Sequence, residues 1–204
     1  MITIVDYGLG NIRAFENIYR SLRIPVSLAK TADQLKRASK IILPGVGAFD
    51  WAMKSLKFSG MEPTLHELVL DEKKPVLGVC VGMQMMARSS QEGDLAGLGW
   101  LDAKVKRFDD KLLDKRLPLP HMGWNTIKTD GVSKLFEGIN DPTYYFLHSY
   151  YLEANTINDV IGKSYYGFEF ASAVASGNIY ATQFHPEKSH HWGIKLLKNF
   201  AENC

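Results

Sequence analysis

Cys80 stands in the run PVLGVCVGMQMM, with Gly78 two residues before it and Gly82 two residues after. An apolar strand that turns directly into a helix crowds the residues flanking the turn, and glycines relieve that crowding. Gly-x-Cys-x-Gly is the thiol counterpart of the Gly-x-Ser-x-Gly elbow that presents a serine nucleophile. The start of a helix also favours negative charge beside it, which suits an attacking sulfur. The amide of Val81, next in sequence, would point toward an oxyanion formed on a carbonyl that Cys80 attacks. The competing reading is an inert buried thiol, since free cysteines are among the most buried residues. A partner base decides between the two.

The stretch ATQFHPEKS offers that base in His185, with Glu187 two positions on. Pro186 biases the residue before it toward extended backbone, so His185 is held rather than free to swing. In an extended segment residues i and i+2 share a face, so Glu187 can reach the imidazole and fix its tautomer. Cysteine, histidine and carboxylate then make a nucleophile, a general base and an orienter. The alternatives are a surface histidine with an incidental carboxylate, or a metal site. HPEKSHH gathers His185, Glu187, His190 and His191. However, the downstream cysteine pair of the zinc deaminases and the H-E-x-x-H pattern are both missing. No metal is expected, and His190 and His191 read as the exposed start of the last helix.

These residues need a scaffold that brings distant strand ends together. ITIVDY, PVSLA, KIILPG and PVLGV read as short strands. NIRAFENIYRSLR carries a helical apolar stripe at Ile12, Phe15, Ile18, Tyr19 and Leu22. A short helix is expected between the second and third strands. FDWAMKSLKFSGMEPTLHELVLDE reads as helical segments broken near Gly60 and Pro63, and a further helix as Gly82–Ser89. Strands separated by helices imply a parallel sheet covered on both faces, with active sites at the carboxyl ends of its strands. The second half changes to strands in quick succession: AKVKRF, WNTIKT, TYYFLHSYYLEA, DVIGKSYY, FASAVAS and NIYATQF. GIKLLKNFAEN reads as the closing helix. The expectation is one α/β domain over 1–204, with a central mixed, mostly parallel, flavodoxin-like sheet flanked by helices and extra antiparallel strands in its second half.

Bulk properties narrow the function classes. The chain has 204 residues, 46% hydrophobic and 23% charged, with net charge +2, which are ordinary globular values. No basic run suggests nucleic acid, and no apolar stretch approaches a membrane span. Two cysteines, Cys80 and Cys204, are too few to staple a fold, so a cytoplasmic, reducing location is expected. DYGLGN has the start of a dinucleotide loop, but Arg13 takes the third glycine position. A strand-to-helix turn with Asn11 as N-cap is the simpler reading. Met83, Met85 and Met86 read as helix packing, and no cofactor is expected.

Together, DYGLGN, LPGVGAF, GVCVGMQ, GLGW, PHMGWN, FLHSYY and QFHPEKS resemble, in order and spacing, the class I (triad-type) glutamine amidotransferases. Within that family the chain is similar to the glutaminase subunits of imidazole glycerol phosphate synthase. The resemblance implies that Cys80 attacks the side-chain amide of L-glutamine, that His185 protonates the departing ammonia and later activates water, and that Glu187 orients His185. It implies an oxyanion hole from the amides of Val46 and Val81, and substrate contacts at Gly47, Gln84, Ser149 and Tyr150. Gln84, four residues after Cys80, lies on the same side of its helix. Asn11, Trp124, Tyr145 and Lys188 would face a partner, although Trp124 and Tyr145 could equally be core aromatics. That partner would be a cyclase subunit, a HisF-type (β/α)8 barrel forming a heterodimer and receiving the ammonia to make imidazole glycerol phosphate and AICAR.

Trp100, and Val81, Met85 and Met86 around the elbow, depart from the commoner residues. They resemble a paralogous branch supplying ammonia to nucleotide-linked sugars of surface polysaccharides. A non-catalytic regulatory subunit is the alternative of another class, against which the intact Cys80, His185 and Glu187 argue. An ester hydrolase of α/β type would place its acid before the histidine, whereas here the histidine precedes the carboxylate.

Overall fold

Wholly apolar runs become central strands because a parallel sheet is covered on both faces, and this chain builds its core that way. The computed structural model describes residues 1–109 and 117–204. The first half alternates β1 (Ile2–Val5), α1 (Ile12–Ser21), β2 (Val26–Ala29), α2 (Ala32–Leu35), β3 (Lys40–Gly45), α3 (Phe49–Phe58), α4 (Glu62–His66), β4 (Val76–Cys80) and α5 (Val81–Met85). Every residue of β1 and β4 is buried, as is β3 beyond Lys40. Then come β5 (Ser89–Ser90), β6 (Ala103–Arg107), β7 (His121–Thr126), β8 (Lys128–Thr129), β9 (Thr143–His148), β10 (Tyr150–Ala154), β11 (Val160–Tyr166), β12 (Phe168–Ser176), β13 (Ile179–Thr182) and α6 (His190–Asn203).

Among the described residues eleven strands form one sheet, and β7 and β9 form a separate antiparallel ribbon. Strands β2, β1, β3, β4 and β13 lie side by side, all parallel, so their carboxyl ends share one edge. From β13 the sheet continues antiparallel through β12, β10 and β6. The expected α/β class, with antiparallel strands added late, is the architecture observed.

Several local expectations need correction. The helices part near Gly60 and Pro63 as expected, between Phe58 and Glu62, but Pro63 opens the second helix rather than ending the first: it sits in the first turn of α4, where its missing N–H costs nothing. The helix expected over Gly82–Ser89 ends at Met85, because the returning chain takes the next carbonyls. The amides of Leu98, Gly99 and Leu101 donate to the carbonyls of Met85, Ala87 and Met86. TYYFLHSYYLEA is two strands split at Ser149, β9 in the ribbon and β10 in the main sheet. Asn11 does hold the N-cap position of α1, but its side chain makes no capping bond.

Candidate active site

Parallel pairing brings three strand ends together. Gly45 at the end of β3 lies opposite Cys80 at the end of β4, and Val79 lies opposite Thr182 at the end of β13. The chain therefore leaves β3 at Val46, turns at Cys80, and leaves β13 toward His185, all on adjacent strands. The sequence separation between Cys80 and His185 is closed by the β4–β13 pairing alone.

Cys80 has φ 55° and ψ −114°, outside the regions open to L-residues, as a tight strand-to-helix elbow requires. Holding it there costs on the order of 1–3 kcal/mol, which the surrounding packing must enforce. The flanking glycines do that. A Cβ on Gly82 would lie 2.0 Å from the Leu43 carbonyl oxygen, and one on Gly78 would lie 2.9 Å from the Gly82 oxygen. Gly45 is equally closed, with the Gly82 nitrogen 2.3 Å from its ideal Cβ position. Just past β1, Tyr7 anchors the same corner, its hydroxyl donating to the Pro44 carbonyl at 2.7 Å. Burial, then the nearby Cys80, push that phenol's pKa upward, so it stays a neutral donor.

His185 follows as expected. Its backbone is extended at φ −100°, ψ 92°, and its amide donates to the Tyr145 carbonyl of the ribbon at 2.9 Å. Nδ1 lies 2.9 Å from Glu187 Oε1, with both side chains almost wholly buried. Burial alone would lower the His185 pKa, but hydrogen bonds to Cys80 and Glu187 outweigh it and raise it to about 10. Both partners therefore favour the protonated ring over the neutral one. That charge beside the sulfur is the partner a thiolate nucleophile requires. The second Glu187 oxygen, Oε2, is buried without a partner.

These groups open into a cavity of about 330 Å³ whose walls include Val46, Gly47, Val81, Gln84, Ser149 and Tyr150. All the residues expected at the oxyanion and substrate positions therefore line one cavity with Cys80 and His185. Gln84 differs in detail: it is 2% exposed, and its Nε2 is engaged by the Gln183 Oε1 (3.0 Å) and the Tyr150 carbonyl (3.3 Å). Gln183 Nε2 in turn reaches toward Cys80 Sγ at 3.8 Å.

Sequence reasoning missed Gln183, Glu92 and His148. Glu92 lines the cavity, and its Oε2 accepts from the Phe49 amide at 2.9 Å. Burial, more than its neighbours, raises its pKa. No local pattern marks Glu92, which reaches the site from a loop. Gln183 and His148 sit at strand ends where the neighbouring His185 and Ser149 carry the more telling local pattern.

The four expected partner-facing residues lie at the same edge. Trp124 is 47% exposed, which decides against a core role, and stacks on His190 with ring centroids 5.1 Å apart. Tyr145 packs edge-on against Trp124, and Lys188 Nζ sits 5.7 Å above the Tyr145 ring. Lys188 also lines the cavity, and Asn11 follows β1 at this edge. Met122, Leu147 and Val46 are exposed nearby, paired across or adjoining the ribbon. His190 and His191 open α6, as expected.

A sequence model of the family described as glutamine amidotransferase class-I matches residues 3–204. The chain is 54% identical over 203 residues to the imidazole glycerol phosphate synthase subunit HisH of Bdellovibrio bacteriovorus, covering 99% of this chain and 100% of that one. It is 49% identical to the HisH subunit of Leptospira interrogans, covering 98% and 99%. Among solved structures, PurLQS from Thermotoga maritima aligns with TM-score 0.68 at 16% identity, covering 98% of this chain and 96% of that one, a likeness of fold.

Proposed function

We propose, from the premise that this chain belongs to the class-I glutamine amidotransferases and is of their HisH type, that its cavity hydrolyses L-glutamine to L-glutamate and ammonia. The observation that carries this reading is Cys80 in its strained elbow beside His185, whose ring Glu187 holds at 2.9 Å. In the resting site the imidazolium of His185 faces the sulfur of Cys80. The sulfur attacks the side-chain amide carbon of glutamine, and the C–S bond forms as the carbonyl π-electrons move to oxygen. That oxyanion is placed between the amides of Val81 and Val46, donors worth roughly 10²–10³ each in rate. As the intermediate collapses, the C–N bond breaks and His185 gives its proton to the departing ammonia. His185, now neutral, takes a proton from water attacking the thioester. The second intermediate expels the thiolate, and glutamate leaves. Glu187 stabilises the imidazolium at the start and end of this cycle. Glu92, the carboxylate in the cavity wall, is placed to meet the substrate's α-ammonium group.

Gly47, Gln84, Ser149 and Tyr150 shape the glutamine pocket in this reading. The ammonia passes to a cyclase subunit that makes imidazole glycerol phosphate, docked on the edge carrying Asn11, Trp124, Tyr145 and Lys188. The names borne by the HisH relatives support that acceptor, and the exposed aromatic surface beside the cavity supports the docking edge. No helix among the described residues is long and apolar enough to cross a membrane.

The test is a reconstituted complex with the cyclase subunit. Cys80→Ala is expected to abolish glutamine-dependent synthesis and leave synthesis from free ammonia intact. Loss of both would make Cys80 a structural residue and overturn the reading.

A further inference from the structure

Two buried histidines take no part in the chemistry above. His121 is 3% exposed and His148 6%, and they meet end to end, His121 Nδ1 lying 2.9 Å from His148 Nε2. His148 Nδ1 lies 2.8 Å from the Tyr150 carbonyl oxygen, and Asn125 Nδ2 lies 3.2 Å from His121 Nε2.

The partners dictate where the protons sit. A carbonyl only accepts, so His148 Nδ1 carries a hydrogen. Burial disfavours a charged ring, holding His121 at a pKa of about 4. For His148, burial and then the neighbouring His121 hold it at about 3. His148 Nε2 is therefore bare and accepts from His121 Nδ1. His121 Nε2 is bare in turn and accepts from Asn125. The other end agrees independently. Asn125 Oδ1 accepts from the Thr126 amide at 2.8 Å and its Nδ2 also donates to the Tyr165 carbonyl at 2.9 Å, which fixes the amide's orientation. Both rings are locked as the Nδ1–H tautomer, which is the minor form of a free neutral histidine.

The far end of this chain is the wall of the cavity. The Tyr150 carbonyl takes one bond from His148 and one from Gln84 Nε2 (3.3 Å), and Gln84 continues through Gln183 toward Cys80. Ser149 and Tyr150 line the cavity at the point where the chain leaves the ribbon for the main sheet. Position there depends on what holds that one carbonyl.

We propose that His121 and His148 are a positioning pair for the glutaminase site: their fixed tautomers hold the Tyr150 carbonyl, and with it the Ser149–Tyr150 wall, in register with Cys80. The inference rests on the glutaminase reading and deepens it. Without the His121 donor, His148 Nε2 is left unpaired, and a ring flip that satisfies it releases the carbonyl. A wall that contacts substrate before and during reaction acts mainly on binding, so its loss raises KM more than it lowers kcat.

Nitrogen-15 NMR of the full chain with labelled histidines reads the tautomers directly at neutral pH. Two neutral Nδ1–H rings are expected at His121 and His148. An Nε2–H or doubly protonated ring at either overturns the pair, whether or not any variant folds. Kinetics with the cyclase subunit bound then test its role. His121→Phe keeps a flat ring to stack on Phe146 and Tyr166 but donates nothing, whereas His121→Asn keeps a donor near the Nδ1 position. The Phe variant is expected to raise KM for glutamine about threefold to tenfold, one hydrogen bond's worth, with kcat within about twofold. The Asn variant should return KM toward the wild-type value. An unchanged KM in the Phe variant, or equal losses in both, overturns the positioning role. Wild-type protein that releases no glutamate would instead sink the glutaminase reading and leave the tautomer result standing.

Discussion

Replacing Cys80 by alanine and by glycine separates the strain of the elbow from its chemistry. Neither variant has a thiol, so both should release no glutamate, and the long sulfur contacts, 3.8 Å from Gln183 and 3.9 Å to the Leu147 carbonyl, are lost from both. The difference between them is the Cβ and the backbone freedom. At ordinary negative φ, alanine is the more stable of the two by about 0.4–1 kcal/mol, because glycine has more freedom to lose on folding. At φ 55° and ψ −114° the alanine Cβ meets strain of about 1–3 kcal/mol that glycine escapes. The glycine variant should therefore be the more stable, by about 1–2 kcal/mol near the middle of these ranges (about 0 to 2.6 across them), a reversal of the usual order. For a chain of this length that gap is about 2–8 °C in Tm. Urea unfolding and thermal scans of the two proteins, compared at equal m-value, measure it. An alanine variant as stable as the glycine variant, or more so, would refute the argument that packing forces a strained elbow.

Gly82→Ala places a Cβ 2.0 Å from the Leu43 carbonyl oxygen, backbone against backbone, and should cost at least about 1–3 kcal/mol. Gly60→Ala, at φ 71° with nothing within 4 Å of its Cβ, should pay only about 1 kcal/mol of backbone strain, and denaturant titration of both checks the contrast. Stability should also depend on pH with two opposite slopes. His121 and His148, at about 4 and 3 in the fold, lie below the unfolded value near 6.5, so the unfolded chain binds more protons there and stability falls as pH drops from 6.5 toward 4 and 3. His185, raised to about 10, binds its proton more tightly in the fold, so its contribution is complete below 6.5 and is lost as pH rises toward 10. Urea titrations from acid to alkaline pH should show His148→Asn flattening the acid limb and His185→Asn the alkaline limb. Trp124→Ala should leave Tm nearly unchanged, since the ring is half exposed, yet weaken cyclase binding tenfold or more, about 1.4 kcal/mol by titration.

The proposed triad was legible because each of its members announces itself locally. Gly78 and Gly82 mark the elbow, and Pro186 fixes the relation of His185 to Glu187. The parallel pairing of β4 with β13, which brings these strand ends together, was not legible, because nothing in NIYATQF says which strand it will lie beside. What stayed hidden depends on contacts across the fold. Side-chain alternation continues smoothly through TYYFLHSYYLEA, so nothing marks the change of hydrogen-bonding partner at Ser149 that makes β9 and β10 belong to different sheets. Gln84 sits on the expected helix face, but Gln183, just past β13, claims its amide, a pairing between residues 99 positions apart. Glu92 enters the cavity from a loop whose path is set by Asp50 accepting from the Asp94 and Leu95 amides. The exposure of Trp124 was open in sequence because an aromatic on a strand suits core and surface alike.

Covalent trapping tests the central claim most directly. An electrophilic glutamine analogue is incubated with the cyclase-bound protein, and peptide mass spectrometry locates the adduct. The account predicts one adduct, on Cys80, suppressed by free glutamine and absent in His185→Ala at the same reagent concentration. Cys204, partly buried at the last position, should stay unlabelled. Labelling of Cys204 in place of Cys80, or a Cys80 adduct that glutamine fails to suppress, would contradict it.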